Sequence, residues 1–246
     1  MAAQLEPVAT LVVDAVEPVS GLKTLDLACG TGNAALLEAE RGAKVTGFDA
    51  APRLLEVAAE QAAEAGLDAT WVEGDMHDMP FPDDSFEVIT SVFGVIFGDP
   101  QKVTAEIARV LEPNGRIAIT TWTNEGVLPR ISALSKEAVA DVFDQETEPM
   151  QFQWGDETQL RELFSEHGIA LQCETKNLKF TAESAEAANE EWREHHPMWL
   201  ALKEALGDER FDALSEKILE ELKSSNESED GFSYTSTYLL AVGSPV

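Results

Sequence analysis

The chain has 246 residues, 44% of them hydrophobic, enough for one large α/β domain with or without a cap. Its 17 Lys and Arg face 46 Asp and Glu, a formal charge of −29 that disfavours nucleic acid and anionic membrane surfaces as partners. Two cysteines, Cys29 and Cys173, stand at no metal-type spacing and fit a reducing cytoplasm, and the opening MAAQLEPVATLVV has neither the basic stretch of a signal peptide nor the length of a membrane span. The plain reading of the acidity is a well-solvated surface; a high-salt habitat is compatible with it.

In chain order, residues 7–16 read as a short amphipathic helix ended by Pro18 and Gly21. A buried strand covers 24–28, a helix 33–41 with Gly42 at its stop, a second strand 44–48, and an Ala- and Glu-rich helix 51–65 closed by Gly66. Strands follow at 69–73 and 86–92, then a helix at 100–111, a PNG turn at 113–115 and a fifth strand at 116–122. This alternation predicts a parallel sheet with helices on both faces. Right-handed crossovers bring the strand C-termini to one edge, where ligands of such sheets bind.

Beyond 123 the pattern changes. Residues 124–150 lack a clear period and read as loop or short helix. The stretch 154–168 reads as a helix with Asp156 as N-cap and Gly168 at its end. A long strand at 169–180 and a last strand at 234–242 are separated by two Glu-rich helices, 183–206 and 208–223, and an acidic loop. One domain over 1–246 is expected, with a cofactor-binding half at 1–123. Segments 124–150 and 181–226 would form a substrate cap beyond the ligand-bearing edge.

The stretch TLDLACGTGN, 24–33, places a glycine turn between a strand and a helix. A triphosphate loop needs GxxxxGK[ST], which is missing here. A dinucleotide turn needs GxGxxG, and position 35 is Ala35 rather than glycine. Asp49 ends the second strand, where it suits ribose hydroxyls. Asp26 lies inside a strand that burial would keep apolar, so its carboxylate must be hydrogen-bonded or face a ligand. The third strand ends in GDMHDMPF, where Asp75 can accept from an exocyclic amine and the Met76 amide can donate to a ring nitrogen. Three acids at three successive strand ends suit a ligand with an amino group, a ribose diol and an adenine amine. They suit a pyrophosphate poorly.

These residues carry a resemblance. LDLACGTGNAA (25–35), VTGFDAAPRLLEVA (45–58), EGDMHDMPFPDDSFEVITSVFGVIF (73–97) and ARVLEPNGRIAITTW (108–122) resemble, in the same order, class I S-adenosylmethionine-dependent methyltransferases of the ubiquinone/menaquinone-biosynthesis-like group. The resemblance covers roughly half the chain. It implies a Rossmann-like seven-stranded sheet, mostly parallel, whose last strand runs antiparallel between its neighbours. It implies S-adenosylmethionine as cofactor and a small-molecule acceptor methylated on O, N or C. By the same resemblance Asp26 and the backbone of Ala28, Gly30 and Gly32 hold the methionine end. Asp49 with Ala50 takes the ribose, Asp75 and Met76 read adenine beside Leu54, and Ser91 offers backbone to the cofactor amine. Only about 24 residues precede the first strand, which implies a shortened lid or one supplied by a partner subunit. A monomer or homodimer is expected.

Methyl transfer from a sulfonium is an in-line displacement, so orientation matters more than a fixed catalytic set. Weak candidates for a base are His77, His195 and His196, against the plain reading of surface histidines. Trp192 and Trp199 read as helix packing more readily than as a substrate box, Asn124 equally as a turn former, and Cys29 as a small buried filler. Two other readings remain: a non-catalytic or regulatory binder on the same fold, and an NAD-dependent oxidoreductase, which Asp26, Ala35 and the GDM triplet oppose.

Overall fold

The computed structural model describes residues 2–140, 153–195 and 197–246. Helix α1 (Ala2–Ala15) precedes β1 (Lys23–Leu27), α2 (Asn33–Glu40), β2 (Lys44–Asp49), α3 (Pro52–Ala65) and β3 (Ala69–Glu73). Then come β4 (Phe86–Val92), a 3-10 turn (Val95–Phe97), α4 (Pro100–Val110), β5 (Leu111–Gly126) and α5 (Val127–Ala138). The last part holds α6 (Glu157–Ser165), β6 (Ile169–Ala182), α7 (Ala185–His195), α8 (Pro197–Leu206), α9 (Asp208–Ser224) and β7 (Phe232–Pro245).

The seven strands form one sheet in the order β3-β2-β1-β4-β5-β7-β6. β7 is antiparallel to both β5 and β6, so β6 points the same way as the first five strands. From β1 the chain steps outward through β2 to β3; from β4 it steps the opposite way to β5. Right-handed crossovers therefore put α2 and α3 on one face and α4 on the other. α1 packs on α2, and α4 on α6. The reversal of direction falls between β1 and β4, the place where such sheets leave a crevice at their C-terminal edge.

Several boundaries differ from the sequence expectation. α1 begins at Ala2 and carries Pro7 inside it, a residue the sequence reading took as its start. Its interior valines Val8, Val12 and Val13 are buried, and that burial outweighs the one backbone bond proline removes. The expected helix 183–206 is two helices, because Pro197 opens a new one. β5 runs to Gly126 and α5 follows, so much of 124–140 is regular; residues 141–150 of the expected cap lie outside the described residues. β6 and β7 pair over their whole length, from Ile169 opposite Pro245 to Ala182 opposite Phe232. They thus continue past the pairing of β5 at Gly126 with Ser236. The inserted helices α7 to α9 hang from this two-stranded extension on the ligand-bearing side. α9 packs on α5, where Arg130 Nε meets Glu221 Oε1 at 2.6 Å.

Candidate active site

The glycine turn follows β1. Ala28 sits at φ 52°, a left-handed conformation that costs a non-glycine residue energy and is held here by its surroundings. The Cys29 N–H donates to the Phe48 carbonyl at 3.1 Å and fastens the turn to β2. Gly30, at φ +56°, has nothing within 4 Å of where a Cβ would stand, so its open side faces free space above the sheet edge. Its N–H donates to Asp49 Oδ2 at 2.8 Å, while Asp49 Oδ1 accepts from the Ala51 N–H at 2.8 Å. Each carboxylate oxygen keeps a further lone pair for a ligand hydroxyl. A Cβ on Gly32 would stand 3.0 Å from the Trp71 ring and 3.3 Å from Ala58, so this glycine serves close helix-to-sheet packing. Cys29 is buried, and burial beside Asp26 and Asp49 pushes its thiol well up.

Asp26 is 2% exposed and its Oδ2 accepts from the Ala35 N–H at 2.9 Å. Ala35 is in the first turn of α2, whose N-cap, Gly32, has no side chain to offer. The acid of β1 therefore caps the helix that the glycine turn opens, and its charge favours that terminus. Burial and the neighbouring Glu38 push its ionisation up, against that amide.

The other half of the crevice comes from β4. Ser91 Oγ donates to the Leu27 carbonyl at 2.7 Å and accepts from the Val95 N–H at 3.1 Å, tying the ends of β4 and β1 together. Phe93 stands at φ 54°; its N–H donates to Thr120 Oγ1 at 2.9 Å and its ring lies on Trp122, 3.8 Å between centroids and 5° from parallel. A Cβ on Gly94 would come within 2.6 Å of the Ala28 Cβ and 2.8 Å of the Leu27 carbonyl oxygen. Gly94→Ala should therefore force the two turns apart and cost roughly 1–3 kcal/mol. A fall in melting temperature checks this; an unchanged one contradicts it.

After β3, Asp75 is exposed, and its Oδ1 accepts from the His77 N–H at 2.9 Å and lies 2.6 Å from His77 Nδ1, which holds the carboxyl below the usual range. His77 Nε2 accepts from the Asp99 N–H at 2.9 Å, so the ring is a neutral strut with its proton on Nδ1. Both nitrogens are occupied. Asp99 in turn caps α4. Met76 and Leu54 are half-buried and Ala50 is exposed, all beside the same edge. His195 ends α7 with its side chain 72% exposed, 3.6 Å from Glu194; His196 lies outside the described residues.

The edge thus brings together Asp26, Ala28, Gly30, Asp49, Asp75 and Ser91 from four strand ends. Sequence reasoning missed Trp154 and Glu38 as contributors. Phe93 and Trp122 form an aromatic shelf at the ends of β4 and β5. Trp154 is fully buried, with its Nε1–H on the Gly98 carbonyl at 3.1 Å. Glu38 is buried in α2; its spacing of four from Ala34 and three from Ala35, both buried, was the available signal.

Residues 24–115 match a family model described as a methyltransferase domain. Over that stretch the chain is a methyltransferase domain. The chain is similar to an uncharacterized protein of Mycobacterium tuberculosis, 36% identical over 130 residues, 52% of this chain and 47% of the relative. It is similar to the demethylmenaquinone methyltransferase of Thermus thermophilus, 43% identical over 100 residues, 39% of this chain and 46% of the relative. A third relative is the nocamycin O-methyltransferase of Saccharothrix syringae, 41% identical over 119 residues, 46% of this chain and 42% of the relative. The chain spans about half the length of these curated relatives. Among solved structures, the YcgJ protein of Bacillus subtilis shares the fold at TM-score 0.67 and 22% identity, covering 96% of both chains. The [4+2]-cyclase SpnF shares it at TM-score 0.65 and 20% identity, covering 98% of this chain and 82% of that one. The methyltransferase domain thus includes the glycine turn, the three acids and Ser91, and ends within β5.

Proposed function

We propose that the chain transfers the methyl group of S-adenosylmethionine to an O, N or C atom of a small molecule. The observation that carries this reading is the open side of Gly30, flanked by Asp49, at the sheet's reversal point. The residues fit the cofactor. Asp49 has lone pairs for the ribose hydroxyls, Asp75 stands exposed for the adenine amine, and the turn leaves space for the methionine end. When bound, the cofactor supplies an activated methyl on a positively charged sulfur. The protein's own part is to orient the acceptor in line with it and to keep water out.

The helices α7 to α9 and α5 stand over that edge, and they are the cap that selects the acceptor. Phe93 and Trp122 lie between cap and turn and give the acceptor an apolar floor. No fixed base is assigned. With its side chain largely in solvent, His195 is not the base, so His195→Ala should keep both turnover and cofactor affinity. Loss of turnover at unchanged affinity would make it one. A screen of metabolite pools with methyl-labelled cofactor, read as labelled product and S-adenosylhomocysteine, tests the reaction. Because a cyclase also uses this fold, product without S-adenosylhomocysteine counts against methyl transfer.

The acceptor is free in a reducing cytoplasm rather than part of a nucleic acid. The −29 charge opposes phosphate contacts, whose binding weakens steeply as salt rises. A gel shift should show no complex; a tight, salt-sensitive one contradicts the proposal.

A further inference from the structure

Two carboxylates among the described residues are buried, Asp26 and Glu38, and they lie close enough across the α2–sheet contact for the charge of Glu38 to act on Asp26. Glu38 is 0% exposed. Its Oε1 accepts from Thr90 Oγ1 of β4 at 2.7 Å. Its Oε2 has no hydrogen-bond partner among the described residues, and neither has Thr24 Oγ1 of β1, which lies close enough to act on the carboxyl's ionisation. The remaining charges near the pair are few. Arg41, just past the end of α2, is held by Asp14 of α1 at 2.7 Å and Glu17 at 2.6 Å, and Asp49 at the end of β2 reaches Asp26. β3 faces the start of α2 with Trp71, and β4 faces Glu38 with Thr90.

Two carboxylates buried side by side with no cation between them are costly in a low-dielectric interior. One of them must hold a proton near neutral pH. Asp26 accepts a helix N-terminal amide, which favours its charge. Glu38 has only hydroxyl neighbours, and a proton on its Oε2 aimed at Thr24 Oγ1 supplies the bond that both atoms lack.

We propose that Glu38 is a positioning residue of the cofactor site, a neutral acid that bridges Thr90 and Thr24 and so fixes α2 and the glycine turn, leaving Asp26 as the single buried charge beneath them. Burial pushes the Glu38 carboxyl up to about 7, with the Thr24 and Thr90 hydroxyls and Arg41 pulling it back, in keeping with this assignment. The inference rests on the methyltransferase reading only for the identity of the ligand.

The test has two readouts on the full chain. Carbon-13 NMR of labelled glutamate carboxyls should show one resonance, missing in Glu38→Gln, that titrates near neutrality. Calorimetry with S-adenosylhomocysteine at pH 6 should give Glu38→Gln, which keeps a hydrogen-bonding neutral side chain, the wild-type affinity. Glu38→Leu, which keeps the volume but bridges nothing, should bind at least tenfold more weakly with an unchanged circular dichroism spectrum. Three results overturn the proposal: a Glu38 resonance that titrates with the surface acids, a Glu38→Gln as weak as Glu38→Leu, or a Glu38→Leu that binds normally. Should the wild type bind no S-adenosylhomocysteine, the function fails, while the titration still decides the state of Glu38.

Discussion

Asp49→Ala is expected to weaken S-adenosylmethionine binding by roughly tenfold to a hundredfold while the protein stays folded. The carboxylate does two things at once. It accepts from the Gly30 and Ala51 amides at 2.8 Å each, which sets the turn, and it keeps lone pairs for a ribose diol. Hydrogen bonds to a charged group are worth about 1.5–3 kcal/mol, and that range is the expected loss. The side chain is only half-buried and lies at a strand end, so the sheet does not depend on it. Asp49→Asn should fall between the two, since an amide oxygen can still accept from one backbone N–H. Titration calorimetry measures both variants. Wild-type affinity in Asp49→Ala would remove Asp49 from the cofactor site.

The second large effect concerns stability and pH. The Glu38 carboxyl, ordinarily at 4.5, is pushed up to about 7 by burial. Between those values the folded chain holds a proton that the unfolded chain has released. The stabilisation is therefore complete below the unfolded value and is lost as pH rises through the folded one. Between pH 5 and pH 8.5 the wild type should lose about 2–3 kcal/mol that Glu38→Gln does not. The comparison between the two chains removes the general repulsion of a −29 molecule, which both feel alike. Urea unfolding of each at the two pH values gives the difference directly. Parallel stability profiles would mean that Glu38 is ionised in the folded state throughout.

The first five strands were legible because each is a short apolar run bounded by a turn signal, and their alternation with helices predicted a parallel sheet. The glycine turn and the acids at 49 and 75 were legible for the same reason, standing where an apolar strand gives way to polar residues, while Asp26 stood out as a charge inside an apolar strand. What the sequence hid has physical causes. Ala28 and Phe93 adopt left-handed backbone because Gly94 lets the ends of β1 and β4 cross, a contact between residues some 65 apart along the chain with no local signature. Glu38 reads as a solvent-facing helix acid by composition, and only its spacing from Ala34 and Ala35 places it inward. The two-stranded extension of β6 and β7 was read too short, because its far end pairs only with itself and carries polar residues such as Lys179 and Thr235 opposite each other. Its length decides how far beyond the sheet edge the helices α7 to α9 hang, a distance that the sequence reading did not give.

Direct calorimetric titration of the wild-type chain with S-adenosylmethionine, S-adenosylhomocysteine and NAD tests the central claim most plainly. The geometry of the Gly30 turn with Asp49 and Asp75 predicts saturable binding of the first two ligands and no heat of binding from NAD. Saturable binding of NAD with neither sulfur ligand bound would contradict it.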